Sequence, residues 1–236
     1  VFTDTLPGVE RRATNTAVPV DTVANTVAPA IARSWLLVSG SKPEGFADAA
    51  ASGADAIVLD VEDAVAVGAK AAARDAVVGW LSGGGRAWVR INDATTTHWS
   101  ADLDALAGAH GLEGVMLAKA ESVAQVAATA DRLRPGTPIV ALIESAVGLE
   151  DASAIARHPS TFRLAFGVGD FRRDTGMGAS EIRTRLPALP PRRREPGRWA
   201  PRPDRRAVAQ HRARPRARPV CACRVARHDG SPLPAR

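Results

Sequence analysis

Residues 54–63 read ADAIVLDVED and residues 87–93 read AWVRIND. Each is a short, continuous apolar run that breaks into charge at its end. A strand buried on both faces is apolar at every position, so continuity rather than alternation marks a parallel strand inside an α/β protein. Outward from these two, the same grammar recurs at SWLLVSG (34–40), GVMLAKA (114–120), IVALIES (139–145) and RLAFGVGDF (163–171). Ala-rich segments of helical spacing lie between them, at 43–52, 69–82, 100–109, 121–133 and 148–157. Gly83-Gly84-Gly85 and Pro135-Gly136 punctuate the joints.

Six such alternations demand a parallel sheet with right-handed crossovers. An open doubly wound sheet and a (β/α)₈ barrel both satisfy that demand. The polar residues separate them. Nearly every strand ends in charge: Asp60, Glu62 and Asp63; Arg90 and Asn92; Lys119 and Glu121; Glu144; Asp170. Barrel enzymes build their sites from several strand ends on one face, whereas an open sheet uses mainly its switch point. No GxGxxG follows the first strand. The expected fold is α/β, a TIM (β/α)₈ barrel that is incomplete, with about six βα units over residues 33–180.

Composition divides the chain in two. Residues 181–236 hold 16 Arg, no Lys, 10 Pro and 4 acidic residues, a net charge of +12. Residues 1–180 hold 15 basic and 21 acidic residues, net −6. The overall charge of +6 therefore describes the tail, not the body. A basic tail suggests nucleic acid, but this one has a single aromatic, Trp199, and no repeated RGG or RS unit, so nucleic acid is not the expected partner. Pro and Arg at this density cannot build a core, and a disordered tail is expected over 181–236. Residues 1–32 show no sustained period and read as an N-terminal extension, also disordered. Cys221 and Cys223 are separated by one residue, which suits neither a zinc knuckle nor a disulfide framework. No apolar run reaches the ~18 residues of a membrane span and no charged segment precedes a short apolar one. No membrane contact and a cytoplasmic location are expected.

Glu144 and Asp170 close the fifth and sixth runs. In a barrel two such carboxylates converge over the axis, a common way to hold Mg²⁺ together with waters and substrate oxygens. Arg90 closes the third run, and its planar fork suits a carboxylate or a developing oxyanion. Glu62 and Asp63 are candidates for acid–base work or for orienting metal ligands. A lone carboxylate at a strand end is more often a helix cap or a surface ion pair; recurrence on successive strands carries the reading. Thr95, Thr96 and Thr97 read as a polar loop, with His98 and Trp99 packing it. His110 and His158 read as helix-end residues.

Seven short motifs follow in order: RSWLLVSG (33–40), LDVEDAV (59–65), Lys70 and Arg74 in K-x-x-x-R, VRIN (89–92), VMLAKAES (115–122), LIESAVG (142–148) and FGVGD (166–170). Together the series resembles the citrate lyase beta-subunit and HpcH/HpaI aldolase superfamily. The resemblance implies Mg²⁺ on Glu144 and Asp170, and substrate contact from Arg90. It places Glu62 and Asp63 near the metal as catalytic groups and gives Lys119 a substrate-binding role. It implies carbon–carbon cleavage of a hydroxyacyl-CoA such as citryl-CoA, malyl-CoA or citramalyl-CoA, in a homo-oligomer. An aldolase acting on free 2-keto acids is the enzymatic alternative. An inactive truncated product and a basic-tailed nucleic-acid-binding protein are the others. Two positions depart from the family pattern. Ala118 stands where Pro often precedes the lysine, and Gly169 where an acidic residue often precedes the metal Asp.

The tail has a further reading. With GC-favouring synonymous codons for residues 185–206, a frame shifted by one nucleotide yields AYPRSRRVVASRVAGLPGPIDG, which resembles the continuation of the same family. A frameshift near Glu181 is therefore expected, and with it the loss of the seventh and eighth strands. Such a chain would expose the edges of its first and sixth strands, fold poorly and turn over weakly. The nucleotide sequence across codon 181 checks this directly, since an intact original frame contradicts it.

Overall fold

The structure, a computed structural model, describes residues 27–178 and the two-residue strand 226–227. Six strands alternate with six helices: β1 Trp35–Ser39, α1 Phe46–Ala51, β2 Ala56–Asp60, α2 Lys70–Ser82, β3 Ala87–Ile91, α3 Thr97–Leu106, β4 Leu112–Leu117, α4 Val123–Asp131, β5 Ile139–Ile143, α5 Ala146–Arg157, β6 Thr161–Phe166 and α6 Val168–Thr175. A seventh strand, β7 Ala226–Arg227, pairs in parallel with Leu36 and Leu37 on the free side of β1.

The strand order is β6-β5-β4-β3-β2-β1-β7, and every pairing is parallel. Each of the first six strands lies beside its sequence neighbour. A doubly wound sheet must reverse order at a switch point, and these six never do. The fold is the incomplete TIM-barrel architecture expected from the sequence.

Both faces of the sheet are apolar, which explains the continuous runs. Outward, Ile57, Leu59, Val89, Ile91, Val115, Leu117, Ile139 and Ile143 pack against Val77, Leu81, Leu103, Leu106, Val126 and Ile155 of the helices. Inward, Trp35, Leu37, Val58, Trp88, Met116, Val140 and Leu142 fill the barrel interior. Each fully buried Leu, Ile or Val contributes roughly 1.5–3 kcal/mol, so these layers dominate the cohesion of the six units. The period of two along a strand then decides the chemistry. On β2 the inward set Ala56 and Val58 continues to Asp60. On β3 Trp88 continues to Arg90. On β5 Val140 and Leu142 lead to Glu144, just past the strand. One apolar inward face thus becomes polar at the C-terminal rim.

The opposite rim is closed by segment 27–32, assigned above to the N-terminal extension. Residues Pro29–Ile31 form a 3₁₀ turn and Ala32 is buried. Arg163 on β6 donates to the carbonyls of Ala32 at 3.0 Å, Ala30 at 3.3 Å and Pro29 at 3.4 Å. Its guanidinium lies over the rings of Trp35 (5.5 Å) and Phe162 (5.4 Å). It ties β6 to the approach to β1, two elements that share no backbone ladder. Residues 1–26 and the tail, except 226–227, lie outside the described residues, and so do the disorder and frameshift expected there.

Two sequence expectations need correction. Thr95 and Thr96 do form a polar loop, but it leads into α3, and Thr97 belongs to the helix. Asp93 Oδ1 accepts from Thr95 N at 2.7 Å, Thr96 caps the helix by accepting from Trp99 N at 3.4 Å, and Thr97 is already helical. Ser and Thr favour helix caps because the side-chain oxygen satisfies an otherwise unpaired N–H. Asp170 does not end a strand. β6 stops at Phe166, and Asp170 sits in the first turn of α6.

Candidate active site

The site is built from the loop after β2, the end of β3, the β4–α4 turn, the residue after β5 and the start of α6. Asp60 is fully buried and faces Arg90 across the β2–β3 pair. Arg90 Nε donates to Asp60 Oδ1 at 2.8 Å and Nη2 to Asp60 Oδ2 at 2.5 Å, a bidentate fork. Arg90 Nη1 lies 3.3 Å from Glu62 Oε2. Burial alone would lower the pKa of Arg90. The hydrogen bonds and charge of Asp60, with the charges of Glu62 and Glu144, more than offset this and hold it above its ordinary value. One edge of the fork expected to meet substrate is thus occupied by Asp60, which leaves the Nη edge toward Glu62 for other oxygens. Asp60 was read from sequence only as one more strand-end charge.

Asp60 also shapes the next loop. Its Oδ1 accepts from Glu62 N at 2.9 Å and its Oδ2 from Ala64 N at 3.1 Å. This turns the chain so that Glu62, 4% exposed, points back at Arg90 while Asp63 stays exposed. Burial pushes the Glu62 pKa up, against the pull of Arg90 and Lys119. For Asp63 burial acts upward too, but the interaction with Glu62, the charges of Lys119 and Arg90 and a hydrogen bond with Asp170 bring it below the ordinary carboxylate value. Neighbouring carboxylates pushed apart in this way divide proton-holding from charge-holding.

Lys119 has φ +46°, an unusual left-handed backbone for a residue with a side chain. The conformation lets one residue serve two carboxylates. Its N–H donates to Glu144 Oε1 at 2.9 Å and its Nζ to Glu62 Oε1 at 3.1 Å. Burial would lower the ammonium pKa, but Glu62, Asp63 and Glu144 raise it instead.

Glu144 is 4% exposed. Burial pushes its carboxyl up to about 7; the Lys119 N–H opposes, the charges of Glu62 and Asp170 add to the rise and Arg90 opposes. Gly167 makes room for it. A Cβ there would land against Glu144 Oε2 and 2.9 Å from Glu144 Cβ. Gly167 has φ −91°, so space and not backbone conformation requires the glycine. Asp170 is oriented by Arg173 Nη1 at 3.0 Å. The structure therefore brings Arg90, Glu62, Asp63, Lys119, Glu144 and Asp170 to one rim. Among the described residues no three or more His, Cys, Asp or Glu side chains close into a protein-only cage. Two carboxylates with only oxygen donors, completed by water and substrate, fit Mg²⁺ and fit zinc poorly.

A family model for HpcH/HpaI aldolase/citrate lyase matches residues 33–187. The chain belongs to the HpcH/HpaI aldolase/citrate lyase family. Within the family it is 40% identical over 146 residues to a citrate lyase subunit beta-like protein of Mycobacterium tuberculosis, covering 62% of this chain and 51% of that protein. It is 35% identical over 146 residues to a (3S)-malyl-CoA thioesterase of Cereibacter sphaeroides, covering 60% and 50%. The chain thus spans about half the length of the curated relatives it matches. A solved M. tuberculosis citrate lyase beta subunit, complexed with oxaloacetate and magnesium, superposes with TM-score 0.57 and 38% identity, covering 64% of this chain and 65% of that one. An M. tuberculosis structure with magnesium, acetoacetate and coenzyme A superposes at 0.55 and 37%, covering 64% and 54%. Among the described residues of this family member, no helix is long and apolar enough to cross a membrane.

The glycine cradle yields a test. Gly167→Ala is expected to displace the Glu144 carboxylate and weaken Mn²⁺ binding about tenfold. The melting temperature should fall by several degrees as well, because the new methyl also meets Glu144 Cβ, which cannot swing clear as the carboxylate can. Electron paramagnetic resonance of free Mn²⁺ measures the first and circular dichroism the second.

Proposed function

We propose that the chain carries the catalytic face of a Mg²⁺-dependent lyase that cleaves a hydroxyacyl-CoA to a keto acid and an acyl-CoA. The observation that carries this reading is the convergence of Glu144 and Asp170, on successive βα units, beside a buried Arg90–Glu62 pair. The CoA esters and keto acids named for relatives support the substrate class.

Glu144 and Asp170 would hold the ion, which when bound supplies Lewis-acid polarisation of substrate oxygens. The Nη edge of Arg90 would bind the keto-acid side, where the hydroxyl oxygen becomes a carbonyl oxygen. The hydroxyl proton must leave, the carbon–carbon bond breaks, and its electron pair passes to the thioester enolate, which then takes up a proton. Glu62, buried with a raised pKa, and Asp63, ionised beside it, are the groups placed to handle those protons. Lys119, with its side chain 39% exposed, is placed to meet an anionic part of the substrate.

Incubation of the chain with citryl-CoA, malyl-CoA or citramalyl-CoA, with Mg²⁺ or with a chelator, tests this by mass spectrometry. Mg²⁺-dependent appearance of a keto acid and an acyl-CoA supports it. Release of pyruvate from free hydroxy-keto acids, with CoA esters untouched, would assign the aldolase alternative. Release of free CoA would move the reaction toward the thioesterase named for the C. sphaeroides relatives.

A further inference from the structure

The mechanism above leaves the K-x-x-x-R motif unused. Lys70 opens α2, yet it is only 7% exposed. Its Nζ donates to Glu62 O at 2.8 Å, Val61 O at 3.1 Å and Asn92 Oδ1 at 2.7 Å. An ammonium has three protons, and these are three acceptors, two of them carbonyls of the loop that carries Glu62 and Asp63. Asn92 Nδ2 donates to Val61 O at 3.0 Å and to Asp102 Oδ2 at 2.7 Å, and Asn92 N to the same oxygen at 3.0 Å. Arg74, one helical turn after Lys70, pairs with the fully buried Asp102 at 2.9 Å. The network Lys70–Asn92–Asp102–Arg74 joins α2, α3, the end of β3 and the underside of the loop after β2.

We propose that Lys70 is a positioning residue that acts through the Val61 and Glu62 carbonyls, fixing Glu62 and Asp63 opposite Glu144 and Asp170. The loop is clamped from two sides. Asp60 holds its N–H groups from the barrel interior, and Lys70 holds its carbonyls from the helix layer. A buried ammonium is costly to desolvate, and apolar packing at this helix start would serve a purely structural role at lower cost. What the lysine adds is direction, since its protons fix carbonyls that a methyl group would leave free to rotate. The inference deepens the proposed metal-dependent reading and rests on it for one arm of its test.

The experiment compares the full wild-type chain with Lys70→Met, which keeps the stem and removes the three donors. Val126→Ala, a core truncation in α4, is the control for lost stability. Hydrogen exchange of the 61–65 segment and Mn²⁺ affinity are measured for all three. Exchange at the Glu62, Asp63 and Ala64 amides should be at least tenfold faster in Lys70→Met only, and Mn²⁺ affinity about tenfold weaker in that variant only. Wild-type exchange and affinity in Lys70→Met would overturn the proposal. So would equal losses in Val126→Ala, which would reduce the lysine to a contributor to global stability. If the wild-type chain binds no Mn²⁺, the metal reading fails, and the exchange comparison alone still decides the role of Lys70.

Discussion

Arg90→Met is expected to lower the melting temperature of the chain by about 10 °C. Arg90 is 5% exposed and Asp60 fully buried, and the two share a bidentate pair. Removing the guanidinium leaves the Asp60 carboxylate buried without its countercharge and removes one of the two cations facing Glu62. Breaking a buried pair on one side costs about 3–5 kcal/mol, and in a domain of this size each kcal/mol moves the melting point by roughly 2–4 °C. Asp60→Asn in the same chain should recover about half the loss, since Asn keeps an acceptor for the loop N–H groups and carries no charge. The double-mutant cycle should then give a coupling of at least ~2 kcal/mol. Arg90→Lys should fall between wild type and Met, because an ammonium cannot reproduce the fork. Additive effects in thermal unfolding would show that the pair is not the organising contact of this rim.

The second large effect has the opposite sign. Glu144→Gln should stabilise the chain in the presence of a chelator, and increasingly so as pH rises. The carboxyl has an ordinary value of 4.5 and is pushed up to about 7 in the fold, by burial first and then by Glu62 and Asp170. Between those values the folded chain binds a proton that the unfolded chain has released. Stability from this group is therefore fully present below pH 4.5 and is lost as pH rises through 7. Gln titrates nowhere in this window and keeps the acceptor for the Lys119 N–H. The stability difference between variant and wild type should grow from near zero at pH 4.5 to roughly 3 kcal/mol above pH 7. Urea unfolding at several pH values measures it. A difference independent of pH would mean that Glu144 ionises in the fold as it does in water.

Most of the fold was legible because a doubly buried strand leaves a continuous apolar run, and six such runs survive in the sequence. The choice between sheet architectures came from strand-end charge, and the unreversed strand order agrees with it. Asp60 was visible but not understood. Ala56, Val58 and Asp60 lie on one face by the period of two, as do Trp88 and Arg90, and that alternation could have paired them. Asp170 was misplaced because Gly167 and Gly169 extend an apolar-looking run past the end of β6 and disguise a helix start. Lys70, Asn92 and Asp102 were hardest to read. A lysine at a helix start and an aspartate within a helix both look solvated, and only tertiary packing shows them joined through an asparagine.

The central claim is that Glu144 and Asp170 share one divalent ion. Titration of the full chain with Mn²⁺, followed by electron paramagnetic resonance and competed with Mg²⁺, tests it most directly. One ion per wild-type chain, lost in both Glu144→Gln and Asp170→Asn and retained in Glu121→Gln, is the predicted result. Binding that persists in both variants, or none in the wild type, would contradict it.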